Sequence, residues 1–290
     1  MDYLLNILVL IGIYAILAVA LDLLAGHAGL LSMAHAAFFG LGAYTSALVA
    51  VRLGLNFFPA VVAGVAVAAL ISFIVSLPSV KLEEDYFVIA TFSFQMILAS
   101  VFNNWETMTR GTRGIVNIPP PKFFGVMITS KIVFSVLVLC VAALAYSVVF
   151  LITSSPFGRV LRAIRENEIF AKSVGKNTLA FKVTAFAISA ALAGLAGGLF
   201  AFSFTAIDPT TFTLTESILV VSMVILGGAG SRLGPMVGAA ILVIIPELLR
   251  FVRLEGPMAA NLRQVIYGSL LIIVIMFRPR GLVGRYGFGR

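Results

Sequence analysis

Apolar runs about as long as a bilayer is thick recur along the whole chain with only short breaks between them, and this pattern leaves few folds open. A helix crossing about 30 Å of hydrocarbon needs about 20 apolar residues. Inside that layer every backbone N–H and C=O must be bonded within the segment or within a closed barrel. The runs here are continuous rather than alternating, which excludes strands that face lipid on one side and a lumen on the other. The chain therefore reads as all-α, a polytopic membrane protein with about nine transmembrane helices, at 4–24, 29–51, 57–77, 87–102, 132–152, 183–204, 217–226, 234–249 and 265–277. The seventh run is short and flanked by glycine, the form of a broken helix that lines a cavity. Composition agrees, with 61% hydrophobic and 11% charged residues and a mean hydropathy of +1.10, where a soluble domain carries about a quarter charged residues.

Charge then sets orientation. Lysine and arginine concentrate on the cytoplasmic side of membrane proteins, so the basic stretch from Arg159 to Lys182 and the tail with Arg278, Arg280, Arg285 and Arg290 are both placed inside. Four crossings separate them, which keeps the parity, and counting back puts the N-terminus outside and the C-terminus inside. The first 24 residues hold no lysine or arginine and lead straight into another apolar run, the form of a retained span rather than a cleaved leader. Arg110, Arg113 and Lys122, with Arg250, Arg253 and Arg263, fall on the outer side in this scheme, against the rule. The loop 103–130 is expected outside, stiffened by Pro119, Pro120 and Pro121. The net charge of +8 lies at span ends and in loops rather than as a stripe on a folded domain, so it argues for a lipid bilayer and against nucleic acid. Cys140 is the single cysteine, which excludes an internal disulfide or a cysteine-based zinc site; it reads as a small core hydrophobe.

One stretch breaks the apolar pattern. Residues 153–182 form a charged loop in an otherwise single membrane domain spanning 1–290. In it Ser155 can cap a helix, Pro156 suits the first helical position and Gly175 suits a left-handed stop. Val160, Ala163, Ile164, Ala171 and Val174 share one face of that helix at helical spacing, with Arg159, Arg162 and Glu166 on another. Such a helix either docks its apolar side in a partner's groove or lies on anionic lipid.

Two glycine-rich blocks stand beside the short gaps between spans. Gly26, Gly29, Gly40 and Gly42, with Ser32 and His35, form the first; Gly227, Gly228, Gly230, Gly234 and Pro235 form the second. Small residues let helix backbones approach closely, or let a helix break where it lines a cavity. The glycine run at 227–230 is followed by no lysine and preceded by no strand, so it is not a phosphate loop. His27 and His35 lack a third ligand for a metal and read as hydrogen-bonding groups. Thr91 and Gln95 share a face of the fourth span and are candidates for a polar path, while Asp22 closes the first span. No set of residues makes a nucleophile and base, a metal cluster or a cofactor site, so no enzymatic activity, metal or cofactor is expected.

The stretch GRVLRAIRENEIFAKSVGKN, followed by FKVTAFAISAALAGLAGGLFA, resembles the permease subunits of ATP-binding cassette importers for branched-chain amino acids, of the LivM type. Three collinear blocks agree with that family: GHAGLLSMAHAAFFGLGAYTSA, then DYFVIATFSF with the later NNW and GIVNIPPP, and VILGGAGSRLGPMVGAAI. The resemblance implies an ABC importer permease fold in a bacterial or archaeal cytoplasmic (inner) membrane. It implies as partners a second homologous permease, two cytoplasmic ATPases and an external substrate-binding protein. It also implies that 169–175 is the counterpart of the element ATPases grip, with Arg159, Arg162, Arg165, Glu166, Glu168, Ala171, Gly175 and Asn177 as the coupling residues. Of the Glu-Ala-Ala pattern ending in glycine that importer permeases often carry, only Ala171 and Gly175 match, with Glu168 one place early. These permeases commonly have one more hydrophobic segment before the region matching 4–24; its absence here goes with the external N-terminus. A stand-alone secondary transporter would need ionisable groups at mid-membrane, and Asp22 and Glu216 lie near span ends. The same importer class could also serve another small solute, such as urea or amides.

Overall fold

The computed structural model describes residues 2–123, 126, 127, 130–250, 268, 269, 276 and 281–283. Helix α1 (Asp2–Asp22) runs into one π-helical turn, Leu23–Ala28, which Gly29 ends in the left-handed conformation at φ 73°. After the non-helical stretch 29–34 come α2 (His35–Leu53), α3 (Phe57–Ser79) and α4 (Glu84–Asn104). A short α5 (Glu106–Thr109) and three two-residue strands, β1 (Ile115–Val116), β2 (Lys122–Phe123) and β3 (Val126–Met127), lead to α6 (Lys131–Ser154). Then follow α7 (Pro156–Glu166), α8 (Glu168–Ser173), α9 (Thr178–Phe204), β4 (Ala206–Ile207), α10 (Leu214–Gly227) and α11 (Gly234–Arg250).

Six of these helices, α1 with its π turn, α2, α3, α4, α6 and α9, are long and apolar enough to cross a membrane; α10 and α11 are shorter apolar helices. Eight of the nine expected apolar helices are thus among the described residues. The ninth, at 265–277, falls almost wholly outside them. Central and peripheral helices differ sharply: 72% of the apolar window of α9 is buried against 22% of that of α4. The closest packing joins α2, α3 and α9. A methyl group at Gly42 would stand 2.1 Å from the Gly194 carbonyl oxygen, and one at Gly197 would stand 2.0 Å from that of Phe39. Backbone meets backbone there, the contact that drives helix association when the surrounding lipid is as apolar as the side chains. Gly40 serves the aromatic layer instead, facing Phe102 and Phe212, whose rings pack with Tyr44 and Phe39.

The connections gather at two ends. At one, β1 pairs antiparallel with β4, β2 with β3, and the Ile118 N–H donates to the Thr205 carbonyl at 3.0 Å, which ties the proline-containing loop to the exit of α9. At the other lie the π turn, α7, α8 and the α10–α11 turn, with α7 packed against the π turn and α9.

Several expectations change. The second span begins at His35 rather than residue 29, because 29–34 form the break itself. The sixth begins at Thr178 rather than 183 and takes Lys182 into the helix, where a carboxylate partner holds the ammonium. The charged loop holds two helices, and the face expected to run from Val160 to Val174 is not continuous, since Asn167 turns extended (φ −160°, ψ 102°). The buried face of α7 is Gly158, Leu161 and Ile164, while Ala163 and Val174 are exposed. Cys140 is exposed on the outer face of α6, not in the core.

Candidate functional site

The site is built where α7 meets the two helix breaks, with α8 packed beside it on α7 and α9. Ser155 caps α7, its Oγ accepting the Phe157 N–H at 3.2 Å, and Pro156 opens the helix, where a missing N–H costs nothing. Leu161 and Ile164 are 0% and 3% exposed, and burying two such side chains stabilises docking by roughly 3–6 kcal/mol before ordering costs. That burial aims Arg165 at the π turn. Its Nη1 donates to the Gly26 carbonyl, and its Nη2 pairs with Glu166 at 2.7 Å. The stem of Arg165 lies on Gly29, where a methyl group would stand 2.8 Å from Cγ.

Gly26 also touches the second break. A methyl group there would stand 2.3 Å from the Gly230 nitrogen and 2.2 Å from Asp22 Oδ1. The Gly230 N–H donates to Asp22 Oδ1 at 2.7 Å. Helix α7, the end of α1 and the α10–α11 turn therefore form one contact, and the two glycine blocks meet in it. The second break is held locally: Ser231 Oγ donates to the Gly228 carbonyl at 2.7 Å and accepts the Gly234 N–H at 3.1 Å. Gly227 packs on Gly234, and Pro235 sits in the first turn of α11. The Leu282 and Val283 N–H groups donate to the Leu226 and Gly227 carbonyls at 2.9 and 3.0 Å.

The first break is held from afar. A helix start leaves N–H groups without partners, and at α2 two other helices and Ser32 of the break itself supply them. Thr91 Oγ1 accepts the Met33 N–H at 3.1 Å, Ser217 Oγ accepts the Ala36 N–H at 3.0 Å, and Ser32 Oγ accepts the Ala34 N–H at 3.3 Å. Ser217 donates to Gln95 Oε1 at 3.3 Å, and Gln95 Nε2 donates to the Phe212 carbonyl at 2.9 Å. Ser189 gives its one proton to the Ala20 carbonyl at 2.5 Å, so His35 Nε2, 2.9 Å from Ser189 Oγ, must be the donor of that pair. Thr91 and Gln95 are both fully buried: Thr91 accepts from the break and gives its own proton to the Val88 carbonyl at 3.0 Å, while Gln95 acts on the break only through Ser217.

Helix α8 is held differently. Glu168 Oε2 pairs with Lys182 at 2.5 Å, and Oε1 with Lys172 at 3.1 Å and the Thr178 hydroxyl at 2.9 Å. Burial raises this carboxyl, but the three donors outweigh it and hold it low, at about 2. Asn167 caps α8 and Asn177 caps α9, accepting the Phe170 and Ala180 N–H groups at 2.9 and 3.2 Å. Gly175, at φ 78°, ends α8, with its N–H on the Lys172 carbonyl and the Lys176 N–H on that of Ala171, the paired bonds of a left-handed helix stop. Ala171 is buried, whereas Ile169, Phe170 and Val174 are 80%, 64% and 60% exposed. Arg159 stands exposed on α7, and Arg162 donates to the Thr153 carbonyl at 3.0 Å.

Sequence reasoning missed Lys182, Leu161, Ser189 and Ser217. A lone lysine at the head of an apolar run was a signal for the first; single serines in apolar helices gave none.

A family model for the permease component of the branched-chain amino acid transport system matches residues 3–275. The high-affinity branched-chain amino acid transport system permease protein LivM of Salmonella typhimurium is 32% identical over 93% of this chain and 68% of its own length. LivM of Escherichia coli matches to the same extent. The permease protein LivH of Salmonella typhimurium is 27% identical over 94% of this chain and 91% of its own. No solved structure matches.

Proposed function

The chain belongs to the family of branched-chain amino acid transport permease components, and from that premise we propose that it is one permease half of an ATP-driven importer for branched-chain, hydrophobic amino acids. The other half is a homologous permease of the LivH kind. Two cytoplasmic ATPases and an external binding protein complete the assembly, in a bacterial or archaeal cytoplasmic membrane with the α7–α8 end inside and the N-terminus outside.

The observation that carries this reading is the apolar crown Ile169, Phe170 and Val174, exposed beside a helix that is itself locked into both broken helices. Three large apolar side chains at that exposure, on a capped helix of fixed orientation, suit a groove on a partner protein. Closure of the ATPase pair would displace α8, then α7. Arg165 would pass that displacement to the π turn of α1 and, through Gly26 and Gly230, to the α10–α11 turn. Two breaks moving together are a means of alternating access, in which packed elements switch between discrete arrangements. Hydrolysis belongs to the ATPases; this chain supplies the path and its linkage.

The test is to tag the chain, solubilise native membranes in mild detergent and identify what co-purifies. Two ATPase subunits and a second permease are expected, with uptake of leucine, isoleucine or valine by the reconstituted complex. A chain that emerges alone, or only with copies of itself, overturns the reading.

A further inference from the structure

A cavity of about 350 Å³ opens between the last turns of α6, α7 and the α10–α11 turn. Phe150 and Thr153 are three residues apart and so share a face of α6. Each anchors an arginine from a different part of the chain. Arg162 Nη1 donates to the Thr153 carbonyl at 3.0 Å, and the Arg232 guanidinium stands 5.4 Å over the Phe150 ring. Neither arginine forms an ion pair among the described residues. Arg162 spends one of its five N–H donors on Thr153, which leaves the rest of its fork for a ligand. The one carboxylate at the cavity, Asp22, has Oδ1 on the Gly230 N–H at 2.7 Å and Oδ2 3.7 Å from His27. His27 Nδ1 is buried without a partner. Two guanidinium groups against one committed carboxylate make an anion site.

The apolar wall says which anion. Tyr146 and Val149 of α6 line the cavity; Val149 is buried, and half-buried Tyr146 has the exposed Ala143 one turn before it, at the edge of the outward side of a membrane-spanning segment. The cavity also lies at the terminal turn of that helix, the depth at which hydrocarbon gives way to headgroups. We propose that it binds the phosphate of an anionic phospholipid, gripped by Arg162 and Arg232, with the acyl chains leaving along α6 past Tyr146. Arginine forks match phosphate oxygens two at a time, and basic pockets between spanning helices take such headgroups. Free phosphate shares the headgroup's chemistry but has no use for the apolar wall. The inference depends on membrane embedding alone, not on cargo or ATPases, so it stands or falls apart from the transport reading.

The test is native mass spectrometry and thermal denaturation of the purified full chain, with whatever subunits accompany it, with dioleoylphosphatidylglycerol, dioleoylphosphatidylcholine or inorganic phosphate added. Wild type should retain phosphatidylglycerol in preference to phosphatidylcholine by roughly tenfold or more, and Arg232→Gln should weaken that retention by roughly tenfold. Arg232→Lys, which keeps the charge, should retain most of it. Equal retention of the two lipids by wild type overturns the site, whatever the variants do. Undiminished phosphatidylglycerol in an Arg162→Gln, Arg232→Gln double variant overturns it as well. Stabilisation by inorganic phosphate as large as that by phosphatidylglycerol overturns the lipid as its source.

Discussion

Helices α7 and α8 are neighbours in one loop, separated by a single extended residue, Asn167, yet they belong to different surfaces. The first is amphipathic in the ordinary way, with Leu161 and Ile164 buried against the bundle and Arg165 driven into the first helix break. The second inverts the rule: its largest apolar side chains point away from the bundle, and only Ala171 faces it. What keeps α8 in place is the carboxylate of Glu168, gripped by Lys172, Lys182 and Thr178. A helix fixed by packing is part of the fold, whereas one fixed by ionic contacts at its rim keeps its apolar surface free for another protein. Under the proposed function the contrast would make α7 the transmitting helix and α8 the receiving one.

The largest expected effect comes from joining the two breaks wrongly. Gly26→Val puts side-chain atoms where Gly230 backbone and the Asp22 carboxylate already stand. Rigid backbone cannot give way, and overpacking of this kind costs about 1–3 kcal/mol or more. Little folded protein should be recovered in detergent by fluorescence-detected size exclusion, and uptake should be lost with it. If Gly26→Val folds and transports normally, α7 does not act through this junction.

Next comes the end of α8. Gly175→Pro demands φ near −65° where the backbone holds +78°, and it deletes the N–H that bonds the Lys172 carbonyl, at about 3 kcal/mol or more. The damage is local, since nothing lies within 4 Å of a Cβ at this position. Membrane insertion should be intact and ATP-driven uptake abolished. Phe170→Asp sharpens the division further. This side chain is 64% exposed, so the melting temperature should hardly move, within about 0.5 kcal/mol of wild type, while uptake and co-purified ATPase both fall at least roughly tenfold, as expected for an anchor residue at an interface. A matching loss of stability would place α8 in the fold instead.

How much of this was readable beforehand follows the same division. Continuous apolar runs located eight helices, because membrane solvation acts on each segment by itself. Ser155, Pro156 and Gly175 marked helix ends correctly, because capping is chemistry between near neighbours. The same local logic gave the break at Gly234. Asn167 could also have been read as a cap, but the apolar spacing from Val160 to Val174 ran across it and suggested one helix. Thr91, Gln95, Ser189 and Ser217 were beyond reach as a set: from three other helices Thr91, Ser189 and Ser217 bond the buried start of α2 and Gln95 holds Ser217, and no spacing encodes which helices will stand beside it. The meeting of Gly26, Gly230 and Arg165 was hidden for the same reason, although each residue had been singled out alone.

The smallest effect tests the latch by itself. Glu168→Gln keeps the shape of the side chain and removes its charge, and paired ions this close to solvent contribute about 1 kcal/mol or less. The carboxyl is held near 2 from an ordinary 4.5, a lowered value, so the charged form is the stabilising one. Its contribution is complete above about pH 4.5, shrinks as pH falls below that, and is gone below about pH 2. Hydrogen exchange at the amides of residues 171–176 should therefore be faster in Glu168→Gln than in wild type at neutral pH, by about fivefold or less. The two proteins should converge as the pH is lowered from 4.5. Because Phe170 is untouched, uptake should fall less than in Phe170→Asp. A Glu168→Gln protein whose uptake is as low as that of Phe170→Asp would mean that the carboxylate itself meets the ATPase, and that reception and anchoring on α8 are not separable.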